Sequence, residues 1–124
     1  MLTEQDAAAL EAALAQFSGT EHWWRHWTGR ITYTDGVKFL AEKAGAFWLI
    51  DLVASHQTAR LRQEQFQVWL LAVNREKTPM AVATCRADTD TPELVRQEIE
   101  HTDFPLASIR LWLVDSVLML PSEY

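Results

Sequence analysis

The fold is decided by the run FQVWLLAV, which occupies residues 66–73. Its residues are almost all apolar, and several are β-branched or aromatic. A continuous apolar run of this length is suited to a central strand of a sheet. We therefore predict a strand over residues 66–73 with neighbours on both sides.

The C-terminal half of the chain continues with further strands. Residues 80–87 are predicted as the strand that follows the central one. In residues 109–113 the aliphatic residues Ile109, Leu111 and Leu113 alternate with Arg110 and Trp112, which predicts another strand. Asp115-Ser116 then turns the chain into a last strand over residues 117–120.

The segment between these strands carries two competing signals. Val95 and Ile99 alternate with charged residues, which predicts a strand. Thr91-Pro92-Glu93 is a good helix start, so a helix over residues 92–101 is the alternative. We prefer the strand, because residues 88–93 then form a hairpin loop and the acidic side chains face water.

Helical patterns dominate the N-terminal half. Thr3 and Asp6 predict a capping box at the start of a first helix, and Gly19 predicts its end. The apolar residues at helical spacing in this segment are Leu10, Leu14 and Phe17.

Two more helices are predicted after residue 34. Asp35 is the predicted N-cap of the second helix, and Gly45 ends it. A third helix is predicted from about residue 46 to residue 58, and it is apolar nearly all round. We expect this helix to be largely buried, with Trp48 in the core. We expect its polar stripe to face water; the stripe consists of Asp51, Ser55 and Thr58.

Between the first two helices lies a segment rich in tryptophan. Residues 21–27 read EHWWRHW, and RITYT follows at residues 30–34. Aromatic and β-branched residues on both sides of the Thr28-Gly29 link predict a hairpin. A helix over the tryptophan segment is the alternative, since its three indoles would then share a face.

These elements predict an α+β fold. We expect a mainly antiparallel sheet of about five to seven strands packed against two or three helices, because the links are short. The chain shows no internal repeat, no low-complexity segment and no linker rich in Pro, Gly or Ser. We therefore expect a single domain over residues 1–124.

The composition restricts the environment and the partners. Acidic residues outnumber basic ones 17 to 11, giving a formal net charge of −6. This balance argues against duplex nucleic acid as a partner, because backbone binding needs a basic face. The most apolar stretch, residues 44–54, is too short to span a bilayer, and no signal peptide is evident. With one cysteine and no membrane segment, we expect a cytoplasmic protein.

The negative charge is concentrated in the second half of the chain. Residues 63–124 carry 10 acidic and 5 basic residues. The ordinary interpretation is a solvated strand and loop face. The sharper interpretation is an acidic surface that mimics phosphates or meets a basic partner. Its candidate residues are Asp88, Asp90, Glu93, Glu98 and Glu100.

The sequence also resembles a known family. The motifs that carry the resemblance are GTE (19–21), WRH (24–26), YTDGV (33–37), LAE (40–42), AFWLID (46–51), TDFP (102–105) and the terminal LPSEY (120–124). They are similar to those of a small bacterial family of unknown function whose members are often encoded on plasmids and phages. The resemblance covers nearly the whole chain and implies a mobile-element accessory protein. It implies no catalytic motif.

The best metal candidates are His22 and His26. They are four residues apart and would share a face in a strand or in a helix. Asp35 is a candidate carboxylate beside them. A catalytic zinc usually needs three protein ligands, and the other histidines are distant. We therefore expect neither a metal nor another cofactor, and a small metal-dependent enzyme is an alternative function.

The single cysteine does not indicate catalysis. Cys85 shares one side of its predicted strand with Ala81 and Ala83, which is typical of a small buried residue. The sequence contains no glycine-rich phosphate loop, no nucleophile elbow and no zinc signature.

The tryptophan segment gives the leading hypothesis. If it forms a strand, Trp24 faces one way and Trp23 the other, and a chain this small has difficulty covering both. Clustered exposed aromatic residues beside arginine are typical of binding surfaces. We therefore expect a non-enzymatic interaction module that binds a partner protein or a second copy of the chain. An acidic inhibitor that mimics nucleic acid is a further alternative. The candidate binding residues are His22, Trp23, Trp24, Arg25, His26, Trp27, Tyr33 and Asp35.

Overall fold

A computed structural model describes residues 3–124 and shows three helices and one seven-stranded sheet. The helices are α1 (Glu4–Leu14), α2 (Asp35–Ala44) and α3 (Phe47–Ser55). The strands are β1 (Trp23–Arg25), β2 (Thr32–Thr34), β3 (Phe66–Val73), β4 (Ala81–Arg86), β5 (Glu93–Ile99), β6 (Ser108–Val114) and β7 (Val117–Met119). The predicted α+β class is confirmed.

The sheet has the order β1-β2-β7-β6-β3-β4-β5. Neighbouring strands are antiparallel except β2 and β7, which are parallel. Strand β3 pairs with β6 and β4 along most of its length, so Trp69 lies between Leu111 and Cys85. The central position predicted for this strand is confirmed.

Two local predictions in the C-terminal half are confirmed. Residues 93–99 form a strand, so the alternative of a helix over residues 92–101 is wrong. Asp115 and Ser116 both have positive φ and connect β6 to β7 in a two-residue hairpin.

Helix α1 begins as predicted and ends earlier than predicted. The Thr3 N–H donates to Asp6 Oδ2 at 3.0 Å, and the Asp6 N–H donates to Thr3 Oγ1 at 3.1 Å. The helix ends at Leu14, well before Gly19. In the turn that follows, the N–H groups of Gln16 and Phe17 donate to the carbonyls three residues earlier, as in a 3₁₀ turn. This turn places Phe17 against Phe39, with their ring centroids 5.3 Å apart.

Helix α2 is capped by a different residue from the one predicted. Thr34 is the N-cap, and its Oγ1 accepts from the Val37 N–H at 3.3 Å. Asp35 is the first helical residue, and its carboxylate turns away towards the tryptophan segment. At the other end Gly45 adopts the left-handed conformation (φ 62°) and ends the helix as predicted.

The C-terminal turn (Pro121–Glu123) is hydrogen-bonded to the start of α2. Glu123 accepts from the Thr34 hydroxyl at 2.6 Å and from the Gly36 N–H at 3.2 Å. A Cβ on Gly36 would lie 2.5 Å from Glu123 Oε1, so a larger residue here would displace the Glu123 side chain from its hydrogen bonds. The contact fixes residues 34–36, and therefore the end of β2, against the last residues of the chain.

Helix α3 is largely buried, as predicted, but it ends at Ser55 instead of near residue 58 and one of its sides is exposed. Leu49, Ile50 and Val53 are buried in the core. Phe47 is 45% exposed and Trp48 is half-buried, so the prediction of a core Trp48 is wrong. The reason is that only one side of the helix belongs to the hydrophobic core. The predicted polar stripe, which contains Asp51, does face water. Phe47 lies four residues before Asp51 and is exposed on the same side of the helix.

The core beneath α3 contains a closed polar network. Gln57 and Gln67 are almost completely buried and exchange two side-chain hydrogen bonds, of 2.9 and 3.0 Å. The Trp69 indole N–H donates to Gln67 Oε1 at 3.0 Å. Because these amide groups are paired, their burial does not leave them unsatisfied.

Within residues 3–124, no helix has the length and apolar character needed to cross a membrane.

Candidate interaction surface at the tryptophan hairpin

The tryptophan segment folds as a hairpin, as predicted, but residues 26–31 connect its strands instead of the two-residue Thr28-Gly29 link. Strands β1 and β2 pair in antiparallel register, with Trp24 opposite Tyr33 and Trp23 opposite Thr34. The two tryptophans therefore lie on opposite faces, as predicted. Gly29 has positive φ (74°) in the connecting turn, which also carries Trp27. The alternative of a helix over this segment is wrong.

All three indoles of this hairpin are exposed to solvent. The exposed fraction is 60% for Trp23, 37% for Trp24 and 83% for Trp27. Phe47, in the first turn of α3, is a fourth exposed aromatic residue beside the hairpin. We call Trp23, Trp24, Trp27 and Phe47 the aromatic surface; it extends over both faces of β1, because Trp23 and Trp24 lie on opposite faces. Only two other large apolar residues in the described chain are exposed, Leu94 and Tyr124.

Trp24 is held in place by helix α2. Its indole N–H donates to Asp35 Oδ1 at 3.1 Å. The ammonium group of Lys38 lies 4.3 Å from the ring centroid, which is a cation–π distance. The ring therefore has a fixed orientation although part of it faces water.

Asp35 joins the hairpin to α2. Its Oδ2 accepts from the backbone N–H groups of Glu21 at 3.1 Å and His22 at 3.3 Å. Desolvation raises the pKa of Asp35, but the hydrogen bonds from Glu21, Trp24 and His22 together outweigh it. They hold the pKa below its ordinary value of 3.8. Asp35 is therefore a structural acceptor that orders the start of the hairpin.

Trp27 is held by a second carboxylate. The His26 Nε2 lies 2.6 Å from Asp51 Oδ1, and the Trp27 indole N–H donates to the same oxygen at 3.3 Å. On the other side of the imidazole, His26 Nδ1 accepts from the Thr28 N–H at 3.2 Å. Since Nδ1 is an acceptor, Nε2 carries the proton and donates to Asp51. His26 is buried, so it fixes Asp51 from below.

A depression lies between the hairpin and α3, and we call it the hairpin–α3 depression. It has a volume of about 340 Å³. Buried Ile50 and His26 form its interior side, and exposed Trp27 and Phe47 stand at its edges. The complete lining is Arg25, His26, Trp27, Tyr33, Phe47, Ile50 and Asp51.

The two histidines do not form the predicted pair on one face. Both lie just outside β1, where strand geometry no longer governs their direction, and His22 is exposed while His26 is buried. His22 Nδ1 lies 3.6 Å from Asp35, whereas His26 binds Asp51. In the part of the chain that the structure describes, no three His, Cys, Asp or Glu side chains cluster as metal ligands.

The acidic residues between positions 88 and 100 are spread along strand β5 and the loop before it. Glu93 binds Arg96 at 3.1 Å and Arg86 at 3.4 Å, so its charge is paired. Asp88 and Asp90 lie in the loop before β5, whereas Glu98 and Glu100 lie at the other end of that strand. Their charges therefore occupy two ends of an edge strand and do not form one compact cluster.

Cys85 has the buried position that the sequence predicted. Its side chain is inaccessible, and its Sγ lies 3.7 Å from Gln67 Oε1. Burial raises the pKa of this thiol to about 12, with a smaller contribution from the charge of Glu64. The thiol is therefore protonated near neutral pH and is not an activated nucleophile.

The sequence identified most of the surface but missed residues that other elements bring to it. Tyr33 and Arg25 were predicted, and both line the depression. Phe47 and Asp51 come from α3, and Lys38 comes from α2. The available signal was the spacing of Phe47 and Asp51, four residues apart on the exposed stripe of the helix. No pattern in the sequence indicated that this stripe lies beside the hairpin.

Comparison with known families gives one match. Residues 8–124 match the model of a family described as "Family of unknown function (DUF6876)". Comparisons with curated proteins and with solved structures return no match. Because the family model spans nearly the whole chain, this protein belongs to the DUF6876 family.

Proposed function

We propose that the protein is a non-enzymatic interaction module that binds a partner protein through the aromatic surface. One observation carries this proposal: four large aromatic side chains are exposed on the hairpin and the adjoining turn of α3. Small domains seldom expose large apolar residues in groups, and such groups mark interaction sites. Tryptophan beside arginine is also the composition favoured at the centres of protein interfaces.

The fixed orientation of the indoles supports the same proposal. The indole N–H groups of Trp24 and Trp27 are already bonded to Asp35 and Asp51. A partner therefore does not have to satisfy these groups and needs only to cover the ring surfaces. Side chains that are ordered before binding lose less conformational entropy on association. This arrangement suits a preformed binding surface.

The two alternative functions have weaker support. A metal-dependent enzyme would need His22 and His26 together, and each binds a different carboxylate. An inhibitor that mimics nucleic acid would need a compact row of free carboxylates, and Glu93 is paired with two arginines.

The setting is part of the proposal. The resemblance to a bacterial family often encoded on plasmids and phages suggests an accessory factor of a mobile element, acting on a host or plasmid protein in the cytoplasm. The net charge of −6 supports a protein partner rather than duplex nucleic acid. A homodimer remains the variant of this proposal in which the partner is a second copy.

Affinity capture with matched variants tests the proposed function. Wild-type protein, Trp27→Ala and Leu94→Ala are immobilised and exposed to lysate of the native cell. Leu94 is the control, because it is also a large exposed apolar residue but lies on β5 at the opposite sheet edge. We expect a protein that is retained by wild type and Leu94→Ala and reduced about tenfold or more by Trp27→Ala.

Light scattering at several protein concentrations tests whether the partner is a second copy of the chain. In that case Trp27→Ala dissociates a dimer that Leu94→Ala preserves. The proposal is wrong if the three proteins retain the same set of partners, or if none retains a partner and all are monomers.

A further inference from the structure

The hairpin–α3 depression combines three aromatic residues with one carboxylate. Trp27 comes from the hairpin turn, Tyr33 from β2 and Phe47 from α3, and Asp51 lies beside them on α3. Aromatic residues grouped around a small space attract organic cations, because the ring faces carry negative electrostatic potential. A nearby carboxylate adds a full negative charge to this attraction.

Asp51 is oriented in a way that leaves acceptor capacity for a ligand. His26 Nε2 and the Trp27 indole N–H both bond to its Oδ1. In the described chain no side chain or backbone group donates to Oδ2. The carboxylate is 55% exposed, so a ligand can reach it. The Asp51 carboxylate is therefore held in place through Oδ1, and its Oδ2 is free to accept a hydrogen bond from a ligand.

The size of the depression fits one side-chain head. Its volume of about 340 Å³ is at the lower end of the range for small-molecule sites. The buried side chains of Ile50 and His26 limit the water on the interior side, which strengthens charge interactions there. The net charge of −6 also attracts a basic partner to the molecule.

Arg25 is the one cationic side chain of residues 3–124 that lines the depression. No carboxylate pairs with Arg25 among the described residues, and no aromatic ring stacks with its guanidinium there. It is exposed at the end of β1. Its charge opposes a cationic ligand, and removing it is expected to strengthen binding.

We propose that the hairpin–α3 depression binds an alkylammonium group, supplied by a lysine side chain of the partner protein, with Trp27, Tyr33, Phe47 and Asp51 as its ligand-binding residues. This inference rests on the proposed function and adds the chemistry of the partner. Methylation of the lysine is expected to strengthen binding, because a methylated head is less strongly hydrated and contacts the rings more fully.

NMR titration of the ¹⁵N-labelled protein tests the inference, with the Trp27 indole N–H as the reporter. The probes are N-acetyl-lysine methylamide, its Nε-trimethyl derivative, and the uncharged analogue with carbon in place of the quaternary nitrogen. Because a single side chain offers few atoms, we expect dissociation constants of about a millimolar for the trimethyl probe. We expect binding of the uncharged analogue to be about tenfold weaker, since it lacks the cation–π attraction.

Three variants separate the site from general effects. Asp51→Asn keeps an oxygen that can accept from His26 and is expected to weaken binding about tenfold. Arg25→Ala is expected to strengthen binding about threefold, because it removes an exposed like charge. Leu94→Ala, on β5 at the opposite edge of the sheet, is expected to leave the affinity unchanged and is the control for loss of an exposed apolar side chain.

Four results would overturn the inference. They are equal binding of the charged probe and its uncharged analogue, equal affinity of wild type and Asp51→Asn, the same spectral shifts with sodium chloride, and much tighter binding of free choline than of either lysine probe. The last result would assign the site to a small quaternary amine. If Trp27→Ala abolishes partner capture but no probe binds, the inference fails and the proposed function stands.

Discussion

At the scale of single residues, two carboxylates decide how the exposed indoles are presented. Asp35 holds Trp24, and Asp51 holds Trp27 through the same oxygen that binds His26. His22 and His26 are identical in type and close in sequence, but only His26 is buried with both ring nitrogens bonded. The difference arises from neighbours that are distant in sequence, so the spacing of the two histidines could not reveal it.

Substitution of the two histidines measures this difference. His26→Ala removes a buried ring and leaves the Thr28 N–H without its acceptor, so we expect a loss of about 1–3 kcal/mol in the free energy of unfolding. His22→Ala is the control and is expected to change it by less than about 0.5 kcal/mol, since its side chain is largely exposed. Urea denaturation of both variants gives these values. Equal losses would show that His26 has no special structural role.

At the scale of elements, the sequence predicted what local patterns determine. The capping box of α1, the tryptophan hairpin, the central strand β3 and the turn at Asp115-Ser116 follow from residues close together in the chain. The N-cap of α2 was misplaced by one residue, because Thr34 and Asp35 are both suitable caps. Residues distant in sequence contact both of them: Glu123 binds the Thr34 hydroxyl, and the Asp35 carboxylate binds Trp24.

The same limit explains the missing part of the candidate site. The spacing of Phe47 and Asp51 indicated that they share one side of α3. It did not indicate that the tryptophan hairpin lies beside this side. Contacts between a hairpin and a helix that follows it are set by the packing of the whole sheet. The sequence therefore predicted the aromatic composition of the site and not the depression.

Asp35 gives the pH dependence that belongs to the hairpin. Its pKa is lowered in the folded protein, so its carboxylate stabilises the folded state above the unfolded value of about 3.8. This contribution is lost as the pH falls through the lowered pKa. We expect Asp35→Asn to be less stable than wild type at pH 7, and the difference to shrink as the pH falls below 3.8.

Urea denaturation of both proteins across this pH range measures the difference. Thr3 hydrogen bonds lower the pKa of Asp6 as well, and the comparison between wild type and Asp35→Asn cancels that effect. A stability difference that stays constant from pH 7 to the acid limit would contradict the assigned role of Asp35.

At the scale of the whole molecule, the two edges of the sheet differ in character. Strand β5 forms one edge, and its exposed residues include Glu93, Arg96 and Glu98. Charged residues on an edge discourage pairing with another strand. Strand β1 forms the other edge and has only three residues, with the aromatic surface around it. Four of the six large apolar residues that are exposed in residues 3–124 therefore lie on or beside the β1 hairpin, whereas Leu94 lies at the β5 edge.

Hydroxyl-radical footprinting with mass spectrometry tests the binding role of this edge most directly. The oxidation rates of Trp27, Trp69 and Tyr124 are measured in buffer and in lysate of the native cell. Tyr124 is the internal reference, because it is 74% exposed and does not line the hairpin–α3 depression. We expect Trp27 to oxidise much faster than buried Trp69 in buffer, and its rate relative to Tyr124 to fall several-fold in lysate. If Trp27 is as protected as Trp69 in buffer, or if lysate slows Trp27 and Tyr124 equally, the aromatic surface is not a binding site.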